Sequence, residues 1–214
     1  MVKAKSSAKK SSAKKSSAKP NATQELGVMH PGTRRALRRW LATHHATTPG
    51  VWLVVDKAAS GRRGLPYEAV IEEALCFGWI DGKANRIDEK QFKVMFKPRN
   101  PKSGWSAINK QRVGRLMDGG LMAPAGLAKI DEAKRNGAWT SLDAAEKLTI
   151  PDDLGAALAA NERAAANYAA FAPSSRKVIL AWISSAKRPE TRAKRIAETV
   201  KLAANGIKAN HYGR

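Results

Sequence analysis

Between Tyr67 and Lys97 the apolar period of the chain changes from that of a helix to that of a strand, which limits the available folds more than any other feature. Tyr67, Val70, Ile71, Ala74 and Leu75 fall at i, i+3, i+4, i+7 and i+8, one stripe of a helix. Pro66 stands at a first helical position, and Gly78 is placed to stop the helix. The period then becomes two. Ile80–Ile87 and Gln91–Lys97 flank the turn Asp88-Glu89-Lys90, and the second arm alternates Phe92, Val94 and Phe96 against Lys93, Met95 and Lys97. That is a hairpin with one buried face. A helix running straight into such a hairpin predicts an α+β layer.

The flanks extend this reading. Thr33 can cap a helix with Leu37, Trp40 and Leu41 on one face and Arg34, Arg35, Arg38 and Arg39 in water. Pro49-Gly50 ends that region, and Val51–Val55 reads as a buried strand. Two helices are expected near Trp105–Asp118 and Pro124–Asn136. After Ala138 the pattern is helical only: Asp152–Ala160, then Glu162–Ala170 capped by Asn161, then a helix capped by Ser174 or Ser175 that buries Val178, Ile179, Trp182 and Ile183. Pro189 starts the last helix, with Ala193, Ile196, Ala197 and Val200 on one face. The fold class expected is α+β: mainly helical, with a small antiparallel sheet of about three strands and a C-terminal helical module. The divisions expected are a disordered basic tail over 1–30, an α+β domain over 31–140, a helical module over 141–206 and a flexible end over 207–214.

Charge decides the class of partner. The chain of 214 residues has a formal net charge of +21, distributed as +7 over residues 1–20, +6 over 21–175 and +8 over 176–214. The leader reads KSSAK three times from Lys5 and contains no acid. Such a segment cannot bury enough apolar surface to offset its ordering entropy. Lys3, Lys5, Lys9, Lys10, Lys14, Lys15 and Lys19 are mobile point charges, each able to neutralise a phosphate and release counterions. The composition is similar to the tails of linker histones. Non-specific nucleic-acid binding is the expectation; anionic lipid is the rival partner, and a merely solubilising tail the plain alternative. Arg188, Arg192 and Arg195, at i, i+4 and i+7, form a second basic stripe able to assist. No run approaches the roughly 18 apolar residues of a membrane span, and no signal-peptide core follows the basic N-terminus. The expected location is the cytoplasm, in association with the nucleoid.

Chemistry is harder to find. Cys76 is the only cysteine and sits on an apolar helix without a histidine nearby, so it reads as a buried, inert thiol. His44 and His45 are adjacent and point apart on a helix, a poor metal pair; His30 and His211 lie in segments expected to be flexible. Glu72-Glu73 and Asp152-Asp153 read as solvated or first-turn acids. No Gly-rich phosphate loop, HExxH or G-x-S-x-G occurs. No catalytic residue, metal site or cofactor is expected, and an enzyme is disfavoured. The sharper possibility is an anion pocket at the start of the helix near Ser103–Trp105, built from Arg86, Arg99, Lys102, Ser103, Trp105, Ser106 and Asn109. Against it stands the structural reading, with Ser103 capping the helix and Trp79 and Trp105 in the core.

Four segments resemble the YdeI/OmpD-associated, or bacteriocin-protection, family: AVIEEALCFGWIDG over 69–82, PRNPKSGWSAIN over 98–109, GLMAPAGL over 120–127 and AKRPETRAKRI over 186–196. The resemblance implies a link to outer-membrane porins and to protection from bacteriocins and cationic peptides. It supplies no reaction, cofactor or catalytic set. The expectation is therefore a non-enzymatic cytosolic stress or accessory protein of this type, with an appended Lys-rich tail that binds nucleic acid without sequence specificity. A small anionic-ligand domain or unrecognised enzyme at Arg99, Lys102, Ser103 and Trp105 is one alternative. An envelope-stress protein touching anionic lipid is another.

Overall fold

The computed structural model describes residues 26–57, 61 and 64–210. The leader lysines, Arg62, Arg63 and His211 lie outside the described residues. The order of elements is β1 (Val28–Met29), α1 (Arg34–His44), β2 (Val51–Asp56), α2 (Tyr67–Cys76), β3 (Trp79–Arg86), β4 (Gln91–Pro98), α3 (Ala107–Asp118), α4 (Pro124–Arg135), α5 (Asp143–Glu146), α6 (Asp152–Ala159), α7 (Glu162–Ala170), α8 (Pro173–Ser184) and α9 (Pro189–Ala203). The fold is α+β and mainly helical, with one small sheet.

The sheet order is β1-β2-β4-β3. β2, β4 and β3 are antiparallel, as the alternation demands, but β1 joins β2 in parallel, so the sheet is mixed and has four strands. Two residues are too few to show a period, which is why β1 is invisible to pattern reading. A bulge between Asp81 and Ala84 sets two residues of β3 against one of β4.

The inward face of the sheet carries Val51, Leu53, Val55, Val94 and Phe96, all buried. Leu37 and Leu41 of α1 and Val70, Ile71, Ala74 and Leu75 of α2 join the same core. Removing this apolar area from water, at roughly 25 cal/mol per Å2, is what holds helices to sheet. α2 is buried on more than one side because α4 crosses its end. Gly78, at φ +72°, turns the chain there, and a Cβ on it would stand 2.6 Å from Lys129 Cγ. A second core gathers Leu154, Leu158, Ala164, Tyr168, Phe171, Ile179, Leu180, Ile183, Ile196 and Ala203 from α6 to α9.

Caps follow the sequence in part. Thr33 and Asn161 accept from Ala36 N–H at 3.2 Å and Ala164 N–H at 3.0 Å. α3 begins later than expected, with Ser106 rather than Ser103 as its cap, accepting from Asn109 N–H at 3.4 Å. α8 begins with Pro173 at its first turn, not with a serine cap. On α9, Ile196, Thr199 and Ala203 face inward, whereas Ala193 and Ala197 are exposed, a rotation of the expected stripe set by where α6 and α7 lie.

Candidate functional site

The polar residues of the α+β layer are tied to one another in two networks. In the first, Glu73 of α2 is 1% exposed, and its carboxylate accepts from Arg34 Nε at 2.6 Å and Arg38 Nη1 at 3.0 Å. Glu72 accepts from Arg34 Nη1 at 3.0 Å. Glu72-Glu73 is therefore not a solvated pair, and Arg34 and Arg38 are not simply wet. A buried carboxylate without a cation would be too costly to keep charged, so α1 and α2 dock with their charges matched. Arg38 also donates to the carbonyl of Leu121, fastening the loop before α4.

The second network lies where α2, β3 and α3 meet. Arg112, nine-tenths buried, donates two hydrogen bonds to the Glu68 carboxylate (2.8 and 2.5 Å) and a third to Asn109 Oδ1 at 2.8 Å. Its guanidinium holds Glu68 below the usual carboxylate range. The Tyr67 hydroxyl donates to Asp81 Oδ2 at 2.9 Å. Burial, and then Asp81, push the Tyr67 phenol well above its ordinary value. Beside Tyr67 opens a cleft of about 430 Å3 lined by Asp56, Lys57, Gly64, Leu65, Pro66, Tyr67 and Phe92. Tyr67 and Phe92 meet edge to face with centroids 5.7 Å apart. The Asp56 carboxylate there is held by Gln91 Nε2 at 2.8 Å and His30 Nε2 at 3.2 Å. His30 is thus part of the fold rather than of a flexible arm.

The expected anion pocket does not assemble. Arg99 is 5% exposed, with its guanidinium carbon over the Trp105 ring at 3.9 Å from the centroid, and it donates to the carbonyls of Ser103 and Gly104. Burial lowers it to about 10, against the pull of Asp81, so it stays protonated at neutral pH as an internal strut. Trp105 is 1% exposed, and Ser106 is spent on its cap. Asn109 serves Arg112, while Lys102 and Ser103 face solvent. Arg86 sits at the opposite end of β3 from the residue that pairs with Pro98, about 23 Å along the strand, and forms an ion pair with Glu89.

The physical argument that an anion settles at the start of α3 nonetheless holds, because the protein supplies its own. Glu146 Oε1 accepts from Ala107 N–H at 3.1 Å, and Glu146 Oε2 accepts from Lys177 Nζ at 2.7 Å. Lys177 and this backbone N–H hold Glu146 below the usual carboxylate range. Lys110 adds an ion pair to Asp143, so the two cores are joined by charge across α3, α5 and α8.

The remaining candidates are placed as follows. Arg192 is committed to Asp153 (2.5 and 2.8 Å), and this bond holds Asp153 below its usual range. Arg195 lies over Trp182, 5.0 Å from its centroid, and donates to its carbonyl; Arg188 is exposed. Cys76 is fully buried, and burial pushes its thiol up. His44 and His45 turn their Nδ1 atoms to the carbonyls of Trp40 and Leu41 at the end of α1. Among the described residues, no group of three or more His, Cys, Asp or Glu is placed to hold a metal ion, and no helix is long and apolar enough to cross a membrane.

Two protein families match the chain. Residues 29–129 match "Domain of unknown function (DUF8412)", a span that contains three of the four recognised segments. Neither the curated proteins nor the solved structures gave a match. Residues 147–206, which contain α6 to α9 and the segment 186–196, match the family described as "Bacteriocin-protection, YdeI or OmpD-Associated".

Proposed function

We propose that the protein is a non-enzymatic accessory factor of the YdeI/OmpD-associated type whose Lys-rich leader holds nucleic acid without sequence preference. One observation carries the reading: residues 1–20 contain seven lysines, no acid and a repeated KSSAK unit. Unpaired lysine on a segment with nothing to bury has its strongest attraction to a dense polyanion, and counterion release supplies the free energy. The contrast with the folded body supports it. Glu73, Glu68, Glu146 and Asp153 each hold an arginine or lysine of the body in an ion pair, whereas the leader carries no acid to hold its own lysines. Arg188 assists from the exposed start of α9; Arg192 contributes less because Asp153 offsets its charge. The cytoplasm is the compartment in which such a leader meets this partner.

The test is duplex DNA binding as a function of salt, with full-length protein and protein lacking residues 1–20. Seven phosphate contacts contribute about −6 to the slope of log K against log salt. Deletion removes that part of the slope. Coincident lines for the two proteins end the reading, as does a stronger leader-dependent attachment to anionic vesicles than to DNA.

A further inference from the structure

The sheet has a second face whose composition the inward core does not explain. Along β2 and β4 the residues pointing away from the core are Trp52, Val54 and Asp56, and Gln91, Lys93, Met95 and Lys97. Trp52, Val54 and Met95 belong to neither core and are only partly buried. Trp52 pairs across the ladder with Met95 and, on its other side, with Val28, which is 62% exposed. Lys93 Nζ lies over the Trp52 indole, 5.0 Å from its centroid. Part of the Trp52 ring thus stays in contact with water beside the exposed Val28, apolar surface of the kind that binding sites use.

Charge on this face has one sign where the ring stands. Lys93 and Lys97 flank Met95 at positions about 13 Å apart, and Lys83 stands at the bulge opposite it. Among the described outward residues of β2 and β4 the carboxylate is Asp56, at the far end of the strands. Its side chain is 5% exposed and held by His30 and Gln91. Asp88 and Glu89 belong to the turn beyond that end. Val28 and Met29, which follow the leader in the chain, pair with Trp52 and Leu53.

We infer that the outward face of the sheet binds single-stranded nucleic acid, with Trp52 as a platform for an unpaired base and Lys93 and Lys97 as phosphate contacts. A ladder with an aromatic ring between two cations accepts a splayed strand, whose bases expose their π faces. A duplex keeps those faces stacked inside. This extends the leader reading by adding a preference for unpaired strands that a lysine tail alone does not have.

The experiment uses the full chain and measures anisotropy of labelled oligo-dT and of a duplex of equal length. Trp52→Ala weakens oligo-dT binding on the order of tenfold and leaves duplex binding unchanged, and Trp52→Phe keeps most of the affinity. Lys93→Ala with Lys97→Ala lowers the oligo-dT salt slope by about 1.4, two phosphates at about 0.7 each, and Lys97→Ala alone, which leaves the Lys93 contact on Trp52 in place, lowers it by about 0.7. Changing the seven leader lysines to serine in the full chain lowers the affinity for both nucleic acids and leaves the Trp52 effect in place. If that variant binds duplex as the parent does, the leader reading fails while the Trp52 result stands. The inference is overturned if Trp52→Ala leaves oligo-dT binding unchanged, if it weakens duplex binding equally, or if anionic vesicles respond to the same substitutions.

Discussion

Two helical glycines, replaced by alanine, should move stability in opposite directions. Gly114 lies within α3 with nothing inside 4 Å of where a Cβ would be. Alanine there adds helix propensity and no contact, a gain of about 1 kcal/mol. Gly126 is the third residue of α4, where the helix crosses the end of α2. A Cβ at this position would stand 2.7 Å from the carbonyl carbon of Cys76, closer still to its oxygen, and 2.8 Å from Met122 Cε. The nearest neighbour is backbone, itself accepting from Ala123 N–H at 3.0 Å, so it cannot turn aside as a flexible side chain would. Relieving the overlap means lifting α4 from α2, at an overpacking cost of about 1–3 kcal/mol toward the upper end. The propensity gain offsets part of this, leaving a net loss of about 2 kcal/mol. For a chain of this size each kcal/mol moves Tm by about 2–4 °C. Thermal unfolding followed by circular dichroism should show Gly114→Ala raised by about 2–4 °C and Gly126→Ala lowered by about 4–8 °C. If both variants rise together, the close crossing of α4 over Cys76 is wrong.

Glu73→Ala should cost about 2–3 kcal/mol in urea unfolding: it strands Arg34 and Arg38, but those side chains are 40% and 37% exposed and recover part of the loss in water. A change below about 0.5 kcal/mol would contradict the matched docking of α1 and α2. Acid should weaken the fold through Glu68, Glu146 and Asp153, all held below their ordinary values by Arg112, Lys177 and Arg192. Because the folded values are the lower ones, this stabilisation is complete above the unfolded carboxylate range near about 4 and is lost as pH falls through the folded values. In an NMR titration, Arg192→Ala should return the Asp153 carboxyl toward its ordinary range; an unmoved Asp153 would remove the ion pair from the account.

What could be read without coordinates was whatever the chain encodes locally. The period switch at Gly78, the alternation Phe92, Val94, Phe96, the Thr33 and Asn161 caps and the uniformly helical second half each depend on residues a few positions apart, and backbone geometry translates such spacings directly. The segment 186–196 was legible for a different reason, its resemblance to a family whose pattern residues 147–206 match. The pairing of charges was not legible. Arg34 meets Glu73 across 39 positions, and Glu146 reaches Ala107 across 39. The sequence placed an anion at the start of α3 but could not say that the anion was the protein's own. The same limit hid the separation of Arg86 from Arg99, the parallel pairing of β1 and the gathering of Trp52, Lys93 and Lys97 on one open face. Coulomb energy depends on distance and burial, and both are set only when nonlocal helices and strands pack. Local spacing thus determined the elements and their apolar faces, and the tertiary structure alone decided which charges are spent internally and which side chains stay at the surface.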